Sequence, residues 1–188
     1  VLPINVWLDY STDQPQSVLS RFGDISPSTG IMTSDDQFLI YADSSAGYVR
    51  MAKKDAEGIY NRVGTSQAGG SSRYTYQNNF ITADGNHAVL SGYHGLVIVS
   101  IDTENEIITQ EIYDSSYQIT VCEYNGKIYA FNAGNYKIYE LVEGVFTMTY
   151  SGTYEDTTSL YGGGLVGDGL CLISGSNIST AKFINLLS

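Results

Sequence analysis

Few residues in this chain have the types and spacing that chemistry needs. His87 and His94 are its two histidines, seven residues apart, and Asp84 stands three residues before the first. Imidazole and carboxylate oxygen are frequent metal ligands, so Asp84, His87 and His94 form the candidate metal set. Their spacing matches no known ligand pattern, which favours a plainer reading of one strand histidine and one loop histidine. Gly162-Gly163-Gly164-Leu165-Val166-Gly167 satisfies GxGxxG. A dinucleotide site, however, requires a strand before that motif and a helix after it. Here a turn and another strand follow, so the run reads as a glycine-rich strand at a crowded junction. Serine is abundant, yet no Gly-x-Ser-x-Gly elbow occurs and no serine triad is visible. The sequence therefore assigns no catalytic residue and no cofactor.

Softer signals remain. Asp35-Asp36, Asp102-Thr103-Glu104-Asn105-Glu106 and Glu155-Asp156 are acid-rich loops without an EF-hand pattern, read as solvated turns. Asn177-Ile178-Ser179 is a glycosylation acceptor if the chain passes through a secretory pathway. Tyr93, Tyr136 and Tyr161 fall in loops or near strand ends and are the candidates for contact with a ligand or partner. Most of the sixteen tyrosines are expected to pack between strands. Cys122 and Cys171 form no CxxC pair and read as reduced core thiols; a disulfide requires their strands to lie within bonding reach.

The elements that must position these residues are strands. Twenty Gly and sixteen Tyr against three Pro point to many strands and tight turns. Long Ala/Leu/Glu/Lys stretches are missing. Nine basic against twenty acidic residues give a net charge of −11, which repels phosphate and argues against a nucleic-acid partner. No run of eighteen apolar residues is present, so no helical membrane span is expected. The chain opens Val1-Leu2-Pro3-Ile4 without Met, which reads as a processed form or a fragment.

Four segments align as a repeat. Asp36, Gly85, Gly126 and Gly169 mark equivalent turns, at steps of 49, 41 and 43 residues. Each turn is followed by an apolar strand: Phe38-Leu39-Ile40-Tyr41, His87-Ala88-Val89-Leu90, Lys127-Ile128-Tyr129-Ala130 and Leu170-Cys171-Leu172-Ile173. Asx-Gly pairs supply the positive φ of tight hairpins, and Asp36 can enter the same region. Leu96-Val97-Ile98-Val99 lacks alternation, as expected of a strand covered on both faces. Phe146, Met148 and Tyr150 are expected to share one face of an outer strand. A period near forty residues is the length of one four-stranded blade.

Thr82-Ala83-Asp84-Gly85-Asn86-His87-Ala88-Val89 and Tyr93-His94-Gly95-Leu96-Val97-Ile98-Val99-Ser100-Ile101-Asp102 carry a family likeness. They resemble β-propeller repeats of the WD-repeat, YVTN and LVIVD surface-protein kinds, over roughly residues 30 to 188. No Trp-Asp pair closes a strand, and the one tryptophan is Trp7. The resemblance implies an all-β propeller of about four four-stranded antiparallel blades. The units are about 17–64, 73–114, 117–151 and 160–188. Strand 1–10 is expected to pair with the last unit and close the ring; the rival is an arc of a larger propeller.

The function expected is a non-enzymatic structural or adhesive module in an extracellular, cell-surface or virion assembly. Its partners would be other protein subunits or glycan. A lactonase- or glycosidase-type enzyme is the alternative, with a site at the central channel and with Asp84 and Asp168 as the first carboxylates to inspect. A soluble interaction scaffold is the third reading.

Overall fold

The computed structural model describes residues 4–9, 16–43, 48–64, 66–69, 76–92, 95–154, 160–175 and 181–186, without the side chains of 4–9, 16–21, 76–77, 160–162, 174–175 and 181–182. Tyr93, His94, Glu155-Asp156 and the Asn177 acceptor lie outside the described residues.

The described residues form seventeen strands in four sheets. In sheet one, β3 (Pro27–Met32), β4 (Phe38–Asp43), β5 (Val49–Lys54) and β6 (Ile59–Arg62) make an antiparallel meander. Sheet two is β7 (Tyr76–Ile81), β8 (His87–Gly92), β9 (Gly95–Asp102) and β10 (Ile107–Asp114). Sheet three is β11 (Thr120–Tyr124), β12 (Lys127–Asn132), β13 (Asn135–Val142) and β14 (Val145–Thr153). Sheet four is β15 (Leu160–Gly167), β16 (Leu170–Gly175) and β17 (Ala181–Asn185).

The N-terminal strand differs from expectation. β1 (Ile4–Asp9) pairs antiparallel with β2 (Gln16–Phe22), and β2 adds in parallel to β6 at Arg21–Phe22. β1, the described part of the strand expected over 1–10, thus extends the first sheet instead of pairing with the last unit. The physical reason is local. A hairpin closes at small loop entropy, and Phe22 finds a buried place beside Ile25, Leu39, Tyr41, Ala52 and Tyr60 on sheet one.

Turn chemistry accounts for the hairpins. Asn125 and Gly126 both have positive φ (51° and 71°) between Tyr124 and Lys127, the backbone of a two-residue turn whose twist matches its strands. In sheets one and two the turn is longer and side chains fix it. Thr33 Oγ1 donates to Asp35 Oδ1 at 2.6 Å, and Thr82 Oγ1 donates to Asp84 Oδ1 at the same distance. Gln37 and Asn86 each give a backbone N–H to the respective aspartate, at 3.1 and 2.9 Å. Such Asx turns leave a carboxylate to satisfy the backbone where the ladder ends.

Sheets bury one another face to face. Phe38, Ile40 and Met51 of sheet one pack on Leu90, Val97 and Val99 of sheet two. Val89, Leu96 and Ile98, on the other face of sheet two, pack on Val121, Ile128 and Tyr139 of sheet three. Every described residue from His87 to Val99 is buried, which explains the apolar runs without alternation. Cys122, Tyr129 and Phe131 of sheet three meet Cys171 and Ile173 of sheet four.

β3, β7, β11 and β15, the first strands of the four meanders, meet one another. β3 touches β7, β11 touches β15, and β15 also reaches β7. Asn78 Nδ2 donates to Thr120 Oγ1 at 2.6 Å and to the Gly163 carbonyl at 3.0 Å, joining sheets two, three and four. Asn79 Nδ2 donates to Thr29 Oγ1 at 2.6 Å, joining sheets one and two. Gly163 leaves room for this meeting, since a Cβ there would stand 2.7 Å from the Leu172 carbonyl oxygen and 3.0 Å from Thr120 Oγ1.

Candidate functional site

Asp84 and His87 come together, in a cluster with Glu111. His87 is buried at the start of β8, with Nδ1 3.1 Å from Asp84 Oδ2 and Nε2 3.4 Å from Glu111 Oε1 on β10. Its ring lies edge-on to Phe146 at 4.9 Å. Glu111 Oε2 in turn accepts the Phe146 backbone N–H at 2.6 Å, so the cluster ties sheet two to β14 of sheet three. Burial pushes the Asp84 carboxyl upward, but the Thr82 hydroxyl, the Asn86 N–H and His87 outweigh it and hold the carboxyl below its usual range. Among the described residues no group of three His, Cys, Asp or Glu side chains could hold a metal ion. Asp168, the other turn carboxylate, accepts the Tyr124 hydroxyl at 2.7 Å in an exposed position.

The glycine motif lies within β15, followed by a turn and β16, as a structural strand. Tyr161 belongs to the same strand, and its side chain is outside the described residues. Tyr136 is the ligand candidate whose side chain is described.

Tyr136 sits at the near end of β13, where β12, β13 and β17 leave a cavity of about 390 Å³ between sheets three and four. Its walls are Tyr129, Phe131, Tyr136, Ile138, Tyr154, Ile184 and Leu186, with Lys127 and Asn185 as polar members. Three rings are organised there: Phe131 stacks with Tyr136 at 6.3 Å and meets Tyr154 edge-on at 6.2 Å. Tyr136 also packs on Tyr150 at 5.6 Å, and a hydrogen bond to Tyr150 holds the Tyr136 hydroxyl above the usual phenol range. Gly152 makes this possible, because a Cβ there would fall 2.7 Å from the Tyr136 ring.

The same tyrosine borders a second depression of about 400 Å³, lined by Ser116, Asn132, Asn135, Lys137, Ser151, Gly152 and Thr153. Lys137 there is neutralised, its Nζ lying 2.5 Å from Asp114 Oδ2. Half-burial raises the Asp114 carboxyl, but the hydrogen bonds from Lys137 and Ser116 prevail and hold it below its usual range. A cavity walled largely by rings and a shelf of hydroxyl and amide side chains thus adjoin at one aromatic ring. Sequence reasoning reached Tyr136 but missed its surroundings, which come from β12, β14 and β17 and have no common motif.

A third concavity of about 290 Å³ opens at the central strands, lined by Asn78, Asn79, Phe80, Val121, Cys122, Glu123, Gly163, Gly164 and Leu165. Burial pushes the Glu123 carboxyl upward, partly offset by the Ala83 N–H that it accepts at 3.0 Å. Asn79 Oδ1 is buried and has no hydrogen-bond partner among the described residues. Asn78, Asn79 and Glu123 carried no signal in the sequence beyond being polar in or beside first strands of their units.

This architecture recurs in solved structures. A functionally unknown protein from Desulfotomaculum acetoxidans superposes with a TM-score of 0.56 at 18% identity, over 97% of this chain and 76% of that one. The Cps50 (Swd1) β-propeller domain of Myceliophteria thermophila gives 0.59 at 8% identity, over 96% of this chain and 62% of that one. The fold is a β-propeller. The periplasmic gluconolactonase PpgL of Pseudomonas aeruginosa gives 0.56 at 11% identity, with the same two coverages. The chain therefore spans less than two thirds of the length of the last two propellers. No protein-family model matches the sequence, and no curated protein matches it. The four sheets are blades one to four, and the Tyr136 cavity lies at the junction of blades three and four.

Proposed function

We propose that this propeller is a non-enzymatic recognition module of a structural or adhesive assembly, at a cell surface or in a virus particle. Its ligand is a neutral glycan held at Tyr136. The observation that carries this reading is the ring itself, standing between a 390 Å³ aromatic cavity and a 400 Å³ shelf of hydroxyl and amide groups. Sugars present apolar C–H faces and hydroxyl edges, and an aromatic ring beside small polar groups meets both needs. The ion pair of Lys137 with Asp114 removes the local charge that would favour an anion. The acidity of the chain, −11 overall, suits attachment to a basic or neutral protein neighbour in the same assembly. A panel of neutral oligosaccharides tests the reading. Wild type should bind at least one, and Tyr136→Ala should weaken that binding by about tenfold or more, one stacked ring's worth, with little change in melting temperature. Retention of full affinity in Tyr136→Ala would refute it, as would no binding across the panel.

A second reading rests on Glu123. A carboxyl raised by burial, beside two asparagines in a concavity at the propeller centre, is the kind of group a lactonase- or glycosidase-type site requires. Lactone hydrolysis by wild type that disappears in Glu123→Gln would favour this reading over the first.

A further inference from the structure

Cys122 and Cys171 are 49 residues apart and belong to different blades, on β11 and β16. Their sulfurs nevertheless lie 3.3 Å apart, with Cys122 donating to Cys171. Both side chains are buried and both thiols are free. Two cysteines of a 188-residue chain meeting on facing strands is the arrangement a disulfide needs, and bonding distance is roughly 1 Å closer. Tyr129, Phe131 and Ile173 pack round the pair, and Tyr129 and Phe131 also wall the Tyr136 cavity. On the other side Cys122 lines the 290 Å³ central concavity, which brings a small oxidant up to the pair, with Cys171 Sγ 3.3 Å behind Cys122 Sγ.

We propose that Cys122 and Cys171 form a reversible disulfide that clamps blade three to blade four beneath the aromatic cavity. The oxidant class is a peroxide. Cys171 gives up its proton and, as thiolate, attacks one peroxide oxygen; the O–O bond breaks, sulfenic acid forms, and the departing hydroxide takes up that proton and leaves as the first water. Cys122 sulfur then attacks the sulfenic sulfur, the S–O bond breaks and a second water carries off the oxygen. Two thiols and one hydrogen peroxide thus give one disulfide and two waters, the sulfurs losing two electrons to the peroxide. The donated hydrogen bond selects the order of attack: it lowers the Cys171 thiol and, with burial, raises Cys122 far above the usual range. This inference concerns the blade junction and does not depend on what the Tyr136 cavity binds.

The test uses the intact chain and hydrogen peroxide as the probe. After treatment, the intact mass should fall by two hydrogens, and digestion without reductant should yield one linked peptide containing Cys122 and Cys171. A bridge closing a loop of this length should raise the melting temperature by roughly 10 °C, reversed by a thiol reductant. Cys171→Ser should show neither the link nor the shift, and the wild-type mass measurement stands even if that variant folds poorly. Full alkylation of both thiols after peroxide would overturn the proposal, as would sulfinic acid without a link, or links only between chains.

Discussion

Blade two and the junction of blades three and four are built from the same hairpins but are covered very differently. Blade two is enclosed. Leu90, Val97 and Val99 face blade one, Val89, Leu96 and Ile98 face blade three, and all six are fully buried aliphatic side chains. At the other junction rings and two thiols share the contact with Ile173, and it opens on a cavity. Phe183 of β17, on the sheet that closes this junction, is 64% exposed. Aliphatic side chains interdigitate to close-packed density, whereas rings held by stacking leave wedge-shaped space. One propeller can thus carry a scaffold region and a recognition region, the difference lying in which side chains fill the gap between blades.

The largest effect should come from core truncation in blade two. Ile98→Ala or Leu90→Ala leaves a cavity in a site with no room to collapse and should cost about 3–4 kcal/mol in urea unfolding. Tyr136→Ala, at the open junction, should cost about 1 kcal/mol or less. Equal losses at the two places would break the comparison.

Next comes the centre. Asn78→Leu removes the donor shared by Thr120 and the Gly163 carbonyl and should cost about 1–3 kcal/mol, since a buried acceptor is left unpaired. Asn78→Asp keeps the size but loses the donor and should be no better. A melting temperature unchanged in both variants would mean that the three inner strands hold together without this tie.

The smallest effect is electrostatic. Asp114 joins blade two to blade three through Lys137 Nζ and the Tyr139 hydroxyl, and accepts from Ser116. Its folded carboxyl titrates below the unfolded one, so its contribution is complete above the unfolded value of about 4 and is lost as pH falls through the lower folded value. Urea midpoints should therefore drop on acidification, and Asp114→Asn should flatten that drop by about 1 kcal/mol or less. A midpoint profile identical to wild type would remove Asp114 from the account.

Much of the scaffold was legible because local chemistry dictates it. Asn125-Gly126 can hardly be anything but a tight turn, and the unalternating runs of β8 and β9 announced burial on both faces. What failed depended on partners distant in the chain or on one extra residue. On β14, Phe146 and Met148 share a face as expected, but Ile138 pairs with Tyr150 and Tyr139 with Met148, so Thr149 is a bulge that turns Tyr150 to the other face. Only Phe146 of the three is buried. The N-terminal strand joined its nearest neighbour in sequence, an outcome set by loop closure that an argument about free edges passed over. Of the candidate site, Tyr136 was found by residue type and position. The cavity it lines, the Asn78 tie and the approach of Cys122 to Cys171 required three dimensions.

Amide hydrogen exchange on the native chain, compared between β8–β9 of blade two and β16–β17 of blade four, tests the contrast between the two regions most directly. Ala88–Ser91 and Leu96–Val99 should exchange only through global unfolding, while Leu170–Ile173 and Phe183–Ile184 should exchange faster by about tenfold or more through local opening of the cavity junction. Equal protection of the two regions, or slower exchange in blade four, would contradict it.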